Sequence, residues 1–165
     1  MTQQDIVHLF RYSDNCWRQL EAVLNECPDT FDAPFITTSK FASIRAILAH
    51  SIAAEERWIT LRLQGGAIPV AYEERAGTTI AELFADQRAI RQQTYDYLET
   101  IANHSLQEEK PIDLPQWNYR GQLTLEDILF HLMNHENYHR GQVILCLQQR
   151  GFDPPNFDYV FLKEQ

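Results

Sequence analysis

Apolar residues recur at three-, four- and seven-residue steps along four stretches of this chain, the spacing of one buried face on an α-helix. The first stretch runs from about Gln3 to Glu26 and carries Ile6, Phe10, Trp17, Leu20, Leu24 and Cys27 on its stripe. Thr2 and Asp5 fit a capping box at its start, and Pro28 ends it. The second runs from about Lys40 to Gln64, with Ser39 as N-cap and Gly65-Gly66 as the stop. Its apolar side is Ile44, Ile47, Ala54, Trp58 and Leu61. The third runs from about Ile80 to Leu106, opened by the capping box of Thr79 and Glu82. Its stripe is Ile80, Leu83, Phe84, Ile90, Tyr97, Leu98 and Ile101. The fourth runs from about Leu125 to Arg150 between Thr124 as cap and Gly151 as stop, with Ile128, Leu132, Val143 and Cys146 on its buried side.

Between the last two stretches lies KPIDLPQWNYRGQ, whose two prolines and glycine rule out helix and leave room only for short extended pieces, not for a sheet of consequence. The tail GFDPPNFDYVFLKEQ begins irregularly and ends apolar, so Tyr159, Val160, Phe161 and Leu162 are expected to fold back on the helices. The fold class this predicts is all-α: a four-helix bundle, antiparallel by default, with long crossover connections. The expected organisation is one domain over residues 1–165.

Composition narrows the function classes. The chain is 44% hydrophobic and 22% charged, enough to bury a core without staples. Its 23 acidic and 14 basic residues give a net charge of −9 with no basic run, which argues against nucleic acid and anionic lipid as partners. No stretch is apolar enough to span a bilayer. The opening MTQQDIVHLFRYSDN lacks the basic-then-apolar pattern of a secretory signal. Cys16, Cys27 and Cys146 are an odd, unpatterned set that reads as reduced thiols, and a cytoplasmic location is expected.

The chemistry lies in the histidines. HLMNHENYHRGQ places His131, His135 and His139 on the fourth helix. With His131 at zero and about 100° per residue, His135 falls near 40° and His139 near 80°, among Ile128, Leu132, Val143 and Cys146 at about 60° to 120°. Two imidazoles on one apolar-side face can converge on one ion, whereas two buried histidines without an ion would each need core partners. His50 continues the stripe of the second helix and supplies the third ligand. Three neutral imidazoles suit Zn²⁺ or Ni²⁺ and leave a coordination position open to water or a substrate thiol. Asn134, Glu136 and Glu55 are candidates to orient the ligands, and Arg140 and Gln142 follow them in sequence. Gly141 is expected to allow a neighbour's close approach. His8 is a remote candidate from the first helix, and His104 suits a helix C-terminus. Cys146, about 10 Å along the axis from His139, reads as core. Trp17 and Trp58 read as core or dimer-interface anchors.

The histidine of AHSIAAEERWITLRLQGG, the run NHENYHRGQ and the tail PPNFDYVFLKE together resemble the DinB family of bacterial proteins, named for damage-inducible expression. The resemblance covers almost the whole chain. It implies a four-helix bundle, a metal site at His50, His135 and His139, a stress-response setting and homodimers. In the wider superfamily it implies metal-dependent transferases or isomerases that use low-molecular-weight thiols such as bacillithiol or mycothiol.

Three rival readings remain open on the sequence. His135, Glu136 and His139 spell H-E-x-x-H, the zinc-hydrolase motif in which the glutamate is the general base. The metzincin extension is missing after Gly141, and no strand is expected to hold a peptide. A di-iron carboxylate bundle needs a second E-x-x-H, which the chain lacks. A metal-bound sensor or stress-response binding protein would use the same ligands without turnover.

Overall fold

The structure is a computed structural model that describes residues 1–35 and 41–162. It is mostly helical. Helix α1 spans Gln3–Glu26, α2 Ile44–Glu56, α3 Tyr72–Arg75, α4 Ile80–Glu99, α5 Leu125–Gln149 and α6 Tyr159–Leu162. Strands β1 (Glu109–Leu114) and β2 (Tyr119–Thr124) pair antiparallel, Glu109 with Thr124 through Leu114 with Tyr119. Asn118, in the left-handed conformation at φ 49°, turns the hairpin between them. Capping boxes at Thr2–Asp5, Thr79–Glu82 and Thr124–Asp127 fix the starts of α1, α4 and α5. Each satisfies N–H groups that have no partner within the helix.

Two boundaries differ from those expected. The predicted N-cap Ser39 and helix start Lys40 lie outside the described residues, but α2 begins only at Ile44, where the Ser43 hydroxyl accepts from the Ala46 N–H at 3.2 Å. The third long helix stops at Glu99 rather than near Leu106, and a 3₁₀ turn over Asn103–Gln107 carries the chain on. Helix α2 also changes character. From Arg57 to Leu63 it continues as a π-helix, seen in the Gln64 N–H to Ile59 carbonyl bond at 3.0 Å. The wider turn shifts the phase of the stripe. Trp58 and Ile59 are buried, while Leu61, expected inside, is 43% exposed.

The long helices pack as α2 on α5, α1 on α4, α2 on α4 and α1 on α5. Two apolar clusters report their directions. One joins Trp17, Leu20 and Leu24 of α1 with Ile47 and Ile52 of α2, Leu83 and Phe84 of α4, and Val143 and Leu147 of α5. The other joins Ile6 and Phe10 with Trp58, Leu98, Ile128 and Leu132. The first half of α1 therefore sits with the last parts of α2 and α4 and the first half of α5. Helices α1 and α5 run one way, α2 and α4 the other. The expected antiparallel packing holds for α1/α4 and α2/α5, whereas α1/α5 and α2/α4 are parallel. Parallel α2 and α4 need a crossover between them, and residues 64–79 supply it, with α3 packed on α2.

The tail returns to α1 as expected, through Tyr159 of the residues named and through Phe157, which was not. Phe157 is buried, its carbonyl accepts from the Tyr12 hydroxyl at 2.6 Å, and Tyr159 packs edge-on to Tyr12, while Val160 and Phe161 stay exposed. Among the described residues no helix is long and apolar enough to cross a membrane.

Candidate metal centre

The antiparallel seam of α2 and α5 brings His50 opposite the His135/His139 pair. The three offer ring nitrogens that all lie within 4.8 Å of one another. His135 Nε2 and His139 Nε2 are 3.2 Å apart. A tetrahedral ion with Zn–N bonds of 2.0–2.1 Å needs a ligand-to-ligand separation of about 3.3 Å. The His135–His139 spacing is close to that value, and the three rings together could hold a metal ion.

Two neighbours orient the rings. The His50 Nδ1–H donates to Glu73 Oε1 at 3.3 Å, and the His139 Nδ1–H donates to Gln142 Oε1 at 2.8 Å. Both bonds engage Nδ1, so Nε2 is the nitrogen that each ring would offer to a metal. Glu73 is itself gripped by Arg57 Nη1 at 2.9 and 2.8 Å. Burial pushes the Glu73 carboxyl upward, but His50, its own backbone N–H and Arg57 together hold it down at about 2. Phe41 lies against two of the rings, its centroid 4.6 Å from His50 and 5.5 Å from His139. Burial, then the neighbouring His139 and His50, push His135 down to about 3. It is a neutral lone-pair donor at any physiological pH, as a metal ligand must be.

The remaining histidines stand apart. His131 is exposed, edge-on to Trp58 at 5.4 Å and tilted against His135 at 5.7 Å. His8 is drawn away to the tail, bonded to the Tyr159 hydroxyl at 2.8 Å, so its candidacy as a ligand fails. His104 lies in the 3₁₀ turn after α4 rather than at the end of a long helix. Cys146 is buried core, as expected.

The acidic candidates behave differently from the expectation. Glu136 and Glu55 do not orient the histidines. Both point into the interior, where they meet Arg91 of α4. The Arg91 guanidinium donates to Glu55 from Nε at 2.8 Å and Nη2 at 3.0 Å, to Glu136 at 2.6 Å and to Asp14 at 2.5 Å. Trp17 Nε1 donates to Glu136 Oε1 at 2.7 Å, and the Ser13 hydroxyl donates to Oε2. Thr94 donates to Glu55 at 2.6 Å. Burial pushes the Glu55 and Asp14 carboxyls up, and the surrounding carboxylates hold Arg91 protonated against its own burial.

This polar layer overturns two rival readings. Glu136 is committed to the interior by three donors, so it is not the general base of a zinc-hydrolase motif. The clustered carboxylates resemble the layout of a di-iron bundle, but the cation among them is Arg91. Gly141 departs from its expected role too. It is exposed on α5, and a Cβ there would meet nothing within 4 Å, so among the described residues no neighbour requires it.

Sequence reading missed Glu73, Arg91, Ser13 and Asp14. Glu73 has no periodic signal, because a crossover delivers it. Arg91 and Ser13 did carry one. Each sits at a buried-stripe position of its helix, between Gln87 and Thr94 in α4 and between Phe10 and Trp17 in α1.

A solved DinB-like protein from Bacillus subtilis has a similar fold, with a TM-score of 0.56 and 18% identity over 94% of this chain and 97% of that one. At that identity the likeness concerns fold alone. No curated protein matches the chain. The DinB family matches it over residues 1–165, which spans the histidine triad and the helices that carry it, and the chain belongs to that family.

Proposed function

We propose that the four long helices form a four-helix bundle whose α2–α5 seam holds one divalent metal ion through His50, His135 and His139. The metal would be Zn²⁺ or Ni²⁺, since three neutral imidazoles favour late first-row ions over hard ones. Three protein ligands leave a position open, as in catalytic rather than structural sites. Bound there, the ion would supply Lewis acidity to a water or a low-molecular-weight thiol. The reading is a metal-dependent transferase or hydrolase acting on a small molecule. What carries it is the convergence of three ring nitrogens within 4.8 Å, two of them fixed through Nδ1 by Glu73 and Gln142.

The chain's own residues have separable tasks. Glu73 and Gln142 set the tautomers of His50 and His139. Phe41 shields the rings, and Arg57 holds Glu73 in place. With Glu136 turned inward, no carboxylate of the H-E-x-x-H motif is left to abstract a proton at the site.

Elemental analysis of purified, untagged protein tests the site. About one ion per chain is expected, lost in His50→Ala, His135→Ala and His139→Ala. Stoichiometric metal retained in any of the three would refute it. Turnover of thiol adducts by the loaded protein separates the enzyme from a metal-dependent sensor, which would change its partners or oligomeric state without turnover.

A homodimer is part of the proposal. Phe130, Tyr138 and Leu145 are 55%, 64% and 54% exposed on the outer face of α5, which also carries Gly141. Leu145→Asp is expected to shift sedimentation from dimer to monomer. A wild-type monomer would remove this element.

A further inference from the structure

Past the candidate centre, the seam of α2 and α5 continues toward the end of the bundle where the hairpin packs. One turn before His135 on α5, the exposed His131 ring lies 5.7 Å from His135 and 5.4 Å from Trp58. Trp58 is buried and carries the Arg62 guanidinium over its ring at 4.7 Å. Trp58 and Arg62 both belong to the π-helical run from Arg57 to Leu63, which starts two turns after His50. Widened turns of this kind recur at functional sites, and here the run sets a half-buried Arg62 beside the tryptophan.

Arg62 differs from the other arginines around the histidines. Arg57 is held by Glu73, and Arg91 by Glu55 and Glu136. Arg62 makes no ion pair and no hydrogen bond to any described residue. Burial, then Arg57 with its like charge, push its pKa down, and among the described residues no carboxylate pulls it back. Arg62 is also near enough to His131 for its charge to act on that ring. Packing on an indole engages the face of a guanidinium and leaves the N–H groups along its edge to spend elsewhere. That planar fork matches a carboxylate. A half-buried cation without a counter-ion is a cost that an arriving anion removes.

We infer that Arg62 is an anion-binding residue of the candidate centre: the small molecule taken there has one end on the ion, passes His131, and ends in a carboxylate received by the Arg62 fork. The inference rests on the metal reading and adds to it the charge of the substrate.

Isothermal titration calorimetry of the Zn²⁺-loaded full chain tests it, with 6-mercaptohexanoate and 6-mercaptohexan-1-ol as probes. Both offer the ion the same thiol, on a chain longer than the step of about 6 Å from His135 to His131 along α5. The acid should bind about tenfold more tightly than the alcohol, the usual worth of one charge-assisted hydrogen bond. Arg62→Gln should erase that difference with metal content and melting temperature unchanged, and Arg62→Lys should keep part of it. Arg11→Gln, the same loss of charge at an exposed position on α1, should leave the difference intact. Acid and alcohol bound alike by the wild type would overturn the inference. So would a preference that survives Arg62→Gln, which would place the carboxylate on the ion itself, or one lost equally in Arg11→Gln, which would make it an effect of net charge. A wild-type chain that takes up no stoichiometric Zn²⁺ would instead fail the metal reading, and the inference with it. Full zinc without the preference would fail the inference alone.

Discussion

At the scale of single residues, the candidate centre depends on side chains that never touch an ion. Glu73 fixes His50 by accepting its Nδ1–H. Glu73→Gln keeps the shape but weakens that acceptor, and losing such a partner typically lowers metal affinity 10- to 100-fold. Competition with a chelator would measure it, and an unchanged affinity would remove Glu73 from the centre. His135 makes a second case. Its pKa stands at about 3, below the ordinary 6.5, because burial and neighbouring positive charge oppose protonation. In metal-free protein the unfolded chain then takes up a proton below about pH 6.5 that the folded chain refuses. Stability contributed by this residue is complete above pH 6.5 and is lost as pH falls toward 3. Urea unfolding between pH 7 and 4 should show the decline, and His135→Gln should flatten it. An equal slope in the variant would assign the decline to other groups.

At the scale of elements, α5 is a helix with two working faces. His135 and His139 serve the seam with α2, while Glu136 between them turns to the interior. The histidine face was legible, since a four-residue step in a helix is a statement about direction. The Glu136 face was legible in principle as well, because residue 136 continues the buried sequence 125, 129, 132. It was misread because a carboxylate between two candidate ligands invites a catalytic role, and its partner Arg91 lies 45 residues away in the chain. The π-helical run from Arg57 was not legible, since its residues obey an ordinary α-helical stripe. Only packing shows that Leu61 has rotated out. The layer around Arg91 makes a strong demand on stability. Arg91→Met would leave Glu55 and Glu136 buried, and the half-buried Asp14, without their cation, and breaking such a network costs about 3–5 kcal/mol. Denaturant unfolding should register a loss of that size. A loss below about 1 kcal/mol would mean that the carboxylates simply take up protons and that the layer is not a pillar of the fold.

At the scale of the molecule, the four long helices were readable from caps, stripes and breakers, but their directions were not. Hydrophobic periodicity says that a helix has an inner face and is silent on whether its neighbour runs with it or against it. The parallel pairing of α2 and α4 is what requires a long crossover, and that crossover brings Glu73 against His50. The candidate centre thus draws on α2, the crossover and α5, segments that come together only in the folded chain. An ion held there should bind the native state and not the unfolded one. At free metal about 100 times the dissociation constant, the expected gain is about 2.7 kcal/mol. For a chain of this length that is a rise in melting temperature of about 5–10 °C. Thermal scans with and without Zn²⁺ should show the rise in the wild type and not in His50→Ala or His139→Ala. An equal rise in all three proteins would mean the ion acts elsewhere. A fall would mean that it prefers the unfolded chain, whose histidines and cysteines are then free to take it, and that the folded seam is no trap for metal.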